Sequence, residues 1–221
     1  MKLLLSALTK FLLGLVLCAL LIFLPAGTFS YPGGLLFLAI LFIPIFIFGL
    51  CLFFFAPDLL RKRLDGKEEE EPQKLVTALS ALMFLSGFVV AGLDFRFSWS
   101  DFPSSLRIIA SVVFLLSYGL YVEVMRENAY LSRNIRVREG QKVVSTGLYA
   151  LVRHPMYTAT LFLFLTIPLI LGSFYSFLCF LPYPFLIALR IKNEEEVLLR
   201  ELDGYGEYRQ KVKYKLIPFI Y

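Results

Sequence analysis

Polar residues along this chain are sparse and clustered, and the stretches between the clusters are apolar runs too long for a soluble core. A helix rises about 1.5 Å per residue, so roughly 20 apolar residues cross a hydrocarbon core. Six segments reach or approach that length. They are Leu3–Leu24, interrupted only by Thr9 and Lys10; Gly33–Ala56, with Pro44 as a kink; Leu75–Leu93; Leu106–Met125; Met156–Leu171; and Ser173–Leu189. The last two flank Gly172, are short, carry Pro168, Pro182 and Pro184, and read as a helical hairpin. Beyond Leu189, Val197, Leu198 and Leu202 recur at helical spacing, which predicts an amphipathic helix outside the membrane, ending at the turn signal Asp203-Gly204. The expected fold is all-α: a polytopic membrane helical bundle forming a single integral membrane domain, 1–221.

Composition narrows the class. Hydrophobic residues make up 58% of the chain, against about 45–50% in soluble domains. The net charge of +5 therefore reads as membrane orientation, with no nucleic-acid partner. Of the 22 Lys and Arg, 20 fall in the N-terminal stretch, in 57–74, in 126–155 and in the tail from Arg190; only Arg96 and Arg107 lie on the other side. This sorting predicts cytoplasmic N- and C-termini and an even number of crossings. Cys18, Cys51 and Cys179 sit in apolar runs and read as buried thiols. With His154 as the single histidine, no metal site is expected. The Leu-rich start resembles a signal peptide, but Leu17 is bulky before Cys18, and an uncleaved first span is the better reading. The acidic run Glu68–Glu71 reads as a solvated connector, and Asp94–Trp99 as an aromatic outer loop at the interface.

Two polar segments next to lipid carry the chemistry. Gly140–Tyr157 reads as a short strand-like stretch, a Gly turn and a helix start at Pro155, which suits the first helical turn. Arg153 and His154 would then stand beside free backbone N–H groups and the positive end of a helix dipole, a combination that suits a carboxylate or phosphate. Interfacial basic residues anchoring a helix end give the same pattern. Glu194 and Glu195 fall where the sixth segment leaves the bilayer, and the hairpin returns them close to Arg153 and His154. Opposed cationic and anionic poles can hold a zwitterion; an interhelical ion pair looks the same in sequence. Glu123, at the hydrocarbon edge, can pair with Arg126 one turn on.

Gly147-Leu-Tyr149-Ala-Leu-Val-Arg153-His154-Pro155-Met-Tyr157, Arg190-Ile-Lys-Asn-Glu194-Glu195, Gly204-Tyr205-Gly-Glu-Tyr208 and Val212–Pro218 resemble the isoprenylcysteine carboxyl methyltransferase family, itself related to membrane phospholipid N-methyltransferases. Asn128–Ser132 and Gly140-Gln141 look similar too. The chain departs at Leu148, where relatives often have Pro, and at Ala159, where they often have Gly. The resemblance implies 1–103 as N-terminal spans and 104–221 as a methyltransferase-like core. It implies an S-adenosyl-L-methionine-dependent enzyme with a cytoplasmic active site. The acceptor would be lipophilic: prenylcysteine-like, a phospholipid, or a small thiol or amine.

By the same resemblance, the cofactor residues are Gly147, Tyr149, Arg153, His154, Pro155, Tyr157, Glu194, Glu195, Tyr205 and Tyr208. His154, the backbone after it and Arg153 would take the methionyl carboxylate. Glu194 or Glu195 would take the ammonium or ribose, and the tyrosines would shape the adenine and sulfonium environment. A carboxylate acceptor would need orienting by Arg153 or Arg126; an amine would need deprotonating by Glu123 or Glu195. The competing readings are an NADPH-dependent membrane sterol reductase-like enzyme, using the basic tail Arg209, Lys211, Lys213 and Lys215, and a non-enzymatic membrane scaffold or small transporter.

Overall fold

The computed structural model describes residues 2–64, 71–128, 130–131, 137 and 140–221. Their regular secondary structure is all helical, with no strand among the described residues. Helix α1 is Lys2–Ala26, α2 Pro32–Phe55, α3 Pro57–Leu64, α4 Glu71–Phe97 and α5 Ser104–Glu127. Helix α6 is Pro155–Leu171, α7 Phe174–Phe180, α8 Tyr183–Glu201 and α9 Tyr205–Lys211. Five stretches are long and apolar enough to cross a membrane: α1, α2, residues 73–97 of α4, α5, and residues 174–201. Helix α6, at 17 residues, is the shorter apolar helix of the hairpin. The fold is a polytopic helical bundle.

Four expectations need correcting. The sixth segment is two helices, because Pro182 lacks the N–H that would continue α7 and Tyr183 opens α8. The connector from residue 57 begins with a helix, α3. Its Leu59, Leu60 and Leu64 pack against α1, α2 and α5, and tertiary burial favours helix there. The stretch Asp94–Phe97 is the last turn of α4, not a loop. Asp94 is buried, accepting hydrogen bonds from the backbone N–H and hydroxyl of Ser100 (both 2.7 Å) and from the Ser173 hydroxyl. Of the acidic run, residues 68–70 lie outside the described residues. The cysteines are not buried either: Cys51 is exposed and Cys18 and Cys179 are half-buried. A thiol in an apolar run has two dry environments in a membrane protein, protein and lipid, and sequence does not separate them.

Lipid offers no hydrophobic drive between helices, so close contact must come from shape. A Cβ on Gly92 would meet the Ile22 carbonyl oxygen at 2.5 Å, so α1 and α4 cross there backbone to backbone. Phe37, Phe88, Phe114 and Phe180 fill the space between the helices. Leu12, Leu13, Ile43, Ile108 and Leu116 remain exposed, as a lipid-facing belt requires. The hairpin turns at Gly172, whose left-handed φ of 78° closes α6, and Ser173 caps α7 through the Ser176 N–H at 2.9 Å.

The helix ends collect at two poles. Lys10 donates to the Leu64 carbonyl (2.5 Å), Arg63 to the Tyr121 hydroxyl (2.8 Å), and Gln73 to the Arg190 carbonyl (3.3 Å), all at one pole. Asp94, Ser173 and Arg107 lie at the other, with the Arg107 guanidinium against Gly172.

Candidate functional site

At the basic pole a cleft opens between the end of α5, residues 141–144, the N-terminus of α6, the lower half of α8, and α9. Its wall includes Asn128, Tyr130, Gln141, Lys142, Tyr149, Arg153, His154, Met156, Tyr157, Arg190, Glu194, Tyr205 and Tyr208. Residues 141–145 run without strand pairing, and Gly147–Ala150 is a single 3₁₀ turn. Gly147 is required there: its φ is +57°, and a Cβ would come within 1.9 Å of a Glu127 carboxylate oxygen. That carboxylate accepts the Leu148 N–H at 2.9 Å, tying the turn to the end of α5. The turn then presents Tyr149, whose hydroxyl accepts from Asn128 Nδ2 (3.0 Å) and whose carbonyl accepts from the Tyr208 hydroxyl (2.7 Å).

The two glutamates, equivalent in sequence, separate in space. Glu195 is buried and is not part of the cleft wall. Its Oε1 accepts from Arg153 Nε at 2.7 Å and lies 3.2 Å from His154 Nε2 and 3.5 Å from the Tyr205 hydroxyl. It joins the base of the hairpin. Glu194, one residue earlier and about 100° around the helix, lines the cleft and is the one carboxylate in its wall among the described residues. The Tyr157 hydroxyl donates to Glu194 Oε2 at 2.5 Å and accepts from Arg190 Nε at 2.9 Å.

Arg153 reaches the cleft but is largely committed elsewhere. Its Nη1 donates to the carbonyls of Val212 (2.7 Å) and Lys213 (2.8 Å). The backbone N–H groups of Arg153 and His154 bond to the carbonyls of Tyr214 and Lys215, both at 2.9 Å. The C-terminal tail thus caps this end of α6, aided by Thr158, whose hydroxyl donates to the Leu216 carbonyl at 2.7 Å. Pro155 is buried at the first position of α6. Glu123 and Arg126 are not brought to the cleft; they pair with each other at 2.6 Å on the outside of α5. Ala129 and Ser132 lie outside the described residues.

Burial pushes the phenols of Tyr149, Tyr205 and Tyr208 above their ordinary pKa; for Tyr205 and Tyr208 the Glu195 charge adds to the rise, and for Tyr208 Arg153 opposes it. At neutral pH all three are neutral hydrogen-bonding groups. Arg190, Lys142, Met156, Asn128 and Gln141 were not assigned roles from sequence. Asn128 and Gln141 stand within stretches that carried the resemblance, which was the available signal.

The donor set fits S-adenosylmethionine, which combines a carboxylate, an ammonium, ribose hydroxyls and an adenine. The wall combines the Glu194 carboxylate and the cations Lys142, Arg153 and Arg190 with tyrosines, amides and the apolar Leu131, Val143 and Leu198. The cavity itself is about 110 Å³, below the roughly 300 Å³ of small-molecule sites. Entry of a nucleoside therefore requires part of the wall to yield.

The cleft falls almost wholly within the part of the chain that resembles known proteins. Residues 106–206, just under half of the chain, match the family model described as phospholipid methyltransferase. No curated protein matches. The family match, laid over a polytopic helical bundle, supports a membrane-associated methyltransferase.

Proposed function

We propose that this chain is an integral membrane S-adenosylmethionine-dependent methyltransferase acting on a lipid-like acceptor, with its cleft on the cytoplasmic side. The observation that supports the reading is the cleft at the basic pole, whose wall combines Glu194, its one carboxylate among the described residues, with Lys142, Arg153 and His154. Glu194, held by Tyr157 and Arg190, is the partner for the cofactor's ammonium. Lys142, Arg153 and His154 face its carboxylate, and Tyr149, Tyr205 and Tyr208 enclose the nucleoside. S-adenosylmethionine supplies a methyl group already activated as a sulfonium substituent. The chain's task is then alignment and exclusion of water. Glu195 contributes by fixing Arg153 and His154 from behind.

The basic tail makes a poor NADPH pocket. Arg209, Lys211 and Lys213 are exposed, and none of them, nor Lys215, lines the cleft. Calorimetry of the full chain in detergent, with S-adenosylhomocysteine and with NADPH, tests the assignment. S-adenosylhomocysteine is expected to bind wild type and to lose at least tenfold in affinity on Glu194→Gln. Binding of NADPH in its place would sink the assignment.

A further inference from the structure

We infer that Arg63, on the short helix α3, is the binding residue for an oxyanion carried by the lipid-like acceptor. The inference rests on the methyltransferase reading for the word acceptor, and on geometry for the site. Helix α3 comes from the N-terminal half of the chain, outside the matched region. Arg63 crosses from it to the cleft: Nη2 donates to the Tyr121 hydroxyl at 2.8 Å and lies 3.7 Å from the sulfur of Met156, a residue of the cleft wall. The guanidinium also sits 5.2 Å from the centre of the Tyr121 ring. These contacts aim the group without neutralising it.

A guanidinium has five N–H donors, and the contacts of Arg63 use only those of Nη2. Its Nε and Nη1 have no protein partner among the described residues. Neither is a buried orphan. Three other guanidiniums are taken by carboxylates: Arg153 pairs with Glu195, Arg126 with Glu123 and Arg200 with Glu201. Arg63 is half-buried, fixed and without a carboxylate partner among the described residues, beside the wall of the proposed methyl-transfer cleft. A planar fork of this kind matches a carboxylate or phosphate edge-on. The adjoining face of α3 is apolar, with Leu60 and Leu64 lining a cavity of about 330 Å³ shared with Phe11 and Phe46. One short helix therefore offers a cation beside a largely apolar space whose lining also includes Lys10, the two halves of a site for an anionic amphiphile.

The test is equilibrium binding to the full chain in detergent, in two arms. One arm compares N-acetyl-S-farnesylcysteine with its neutral methyl ester. The other compares a short-chain phosphatidylethanolamine with the matching diacylglycerol. Wild type is expected to prefer the charged member at least tenfold in one arm, which identifies the source of the oxyanion as carboxylate or phosphate. Arg63→Gln is expected to abolish that preference and to change S-adenosylhomocysteine affinity less than twofold. A wild type without preference in either arm, or an Arg63→Gln protein that keeps it, overturns the proposal. Where Arg63→Gln does not yield folded protein, Arg63→Lys decides: a point charge in place of the fork should lower the preference at least threefold, and a preference kept at the wild-type level overturns the proposal. A wild type that fails to bind S-adenosylhomocysteine but shows an Arg63-dependent preference removes the methyltransferase reading and leaves the anion site standing.

Discussion

Replacing Glu195 with Ala separates two roles that the sequence left together. In the structure this carboxylate is a strut: its side chain is 6% exposed, that of Arg153 5%, and they meet at 2.7 Å. Removing one partner of a buried pair costs about 3–5 kcal/mol, because the other charge is left uncompensated. Two carbonyls still accept from Arg153 Nη1, so the lower end, about 3 kcal/mol, is expected. That corresponds to a rise of roughly 100-fold in local opening, at about 1.4 kcal/mol per tenfold. Glu195→Gln keeps an acceptor in place and should cost about 1–2 kcal/mol, the difference between a charge-assisted and a neutral hydrogen bond. The readout is amide hydrogen exchange at Arg153 and His154, whose N–H groups hold the tail at Tyr214 and Lys215. Both amides should exchange about two orders of magnitude faster in Glu195→Ala. Unchanged protection there, together with lost S-adenosylhomocysteine affinity, would show that Glu195 touches the ligand and that the strut argument is wrong.

Two further outcomes follow from the same geometry. Gly147→Ala forces a side chain into a left-handed position, at about 1–2 kcal/mol, and displaces the Glu127 carboxylate from the Leu148 N–H; thermal unfolding in detergent should show a clear drop in midpoint, and an unchanged midpoint would refute it. The raised phenols of Tyr149, Tyr205 and Tyr208 mean that above pH 10, their ordinary pKa, the unfolded chain releases protons that the folded chain retains. Stability should therefore fall as pH rises through 10 and upward; an unfolding midpoint that stays constant across that range would contradict this.

Much of the bundle was legible because membrane spans announce themselves. Lipid demands that each crossing satisfy its own backbone hydrogen bonds, so length and hydropathy alone located α1, α2, α4, α5 and the hairpin. What failed depended on neighbours. Helix α3 is short and basic, and only contact with α1, α2 and α5 makes it a helix. The three thiols are exposed or half-buried where the sequence predicted burial, because a run that is apolar all round carries no inside–outside signal.

The candidate site divides along the same line. The sequence alone determined that Arg153, His154, Glu194 and Glu195 converge, since a hairpin brings its two ends together whatever its details. It also determined that the basic residues sort to two ends, since charge cannot remain in the hydrocarbon. Only the tertiary structure decided which glutamate faces the cleft. Adjacent helical residues point about 100° apart, and the packing of α8 against α6 and the C-terminal tail turned Glu195 inward and left Glu194 on the wall. Only the tertiary structure, too, brought Arg63 to Met156. A contact between residues 93 positions apart is fixed by how the helices are bundled, and no local pattern in the chain carries that information.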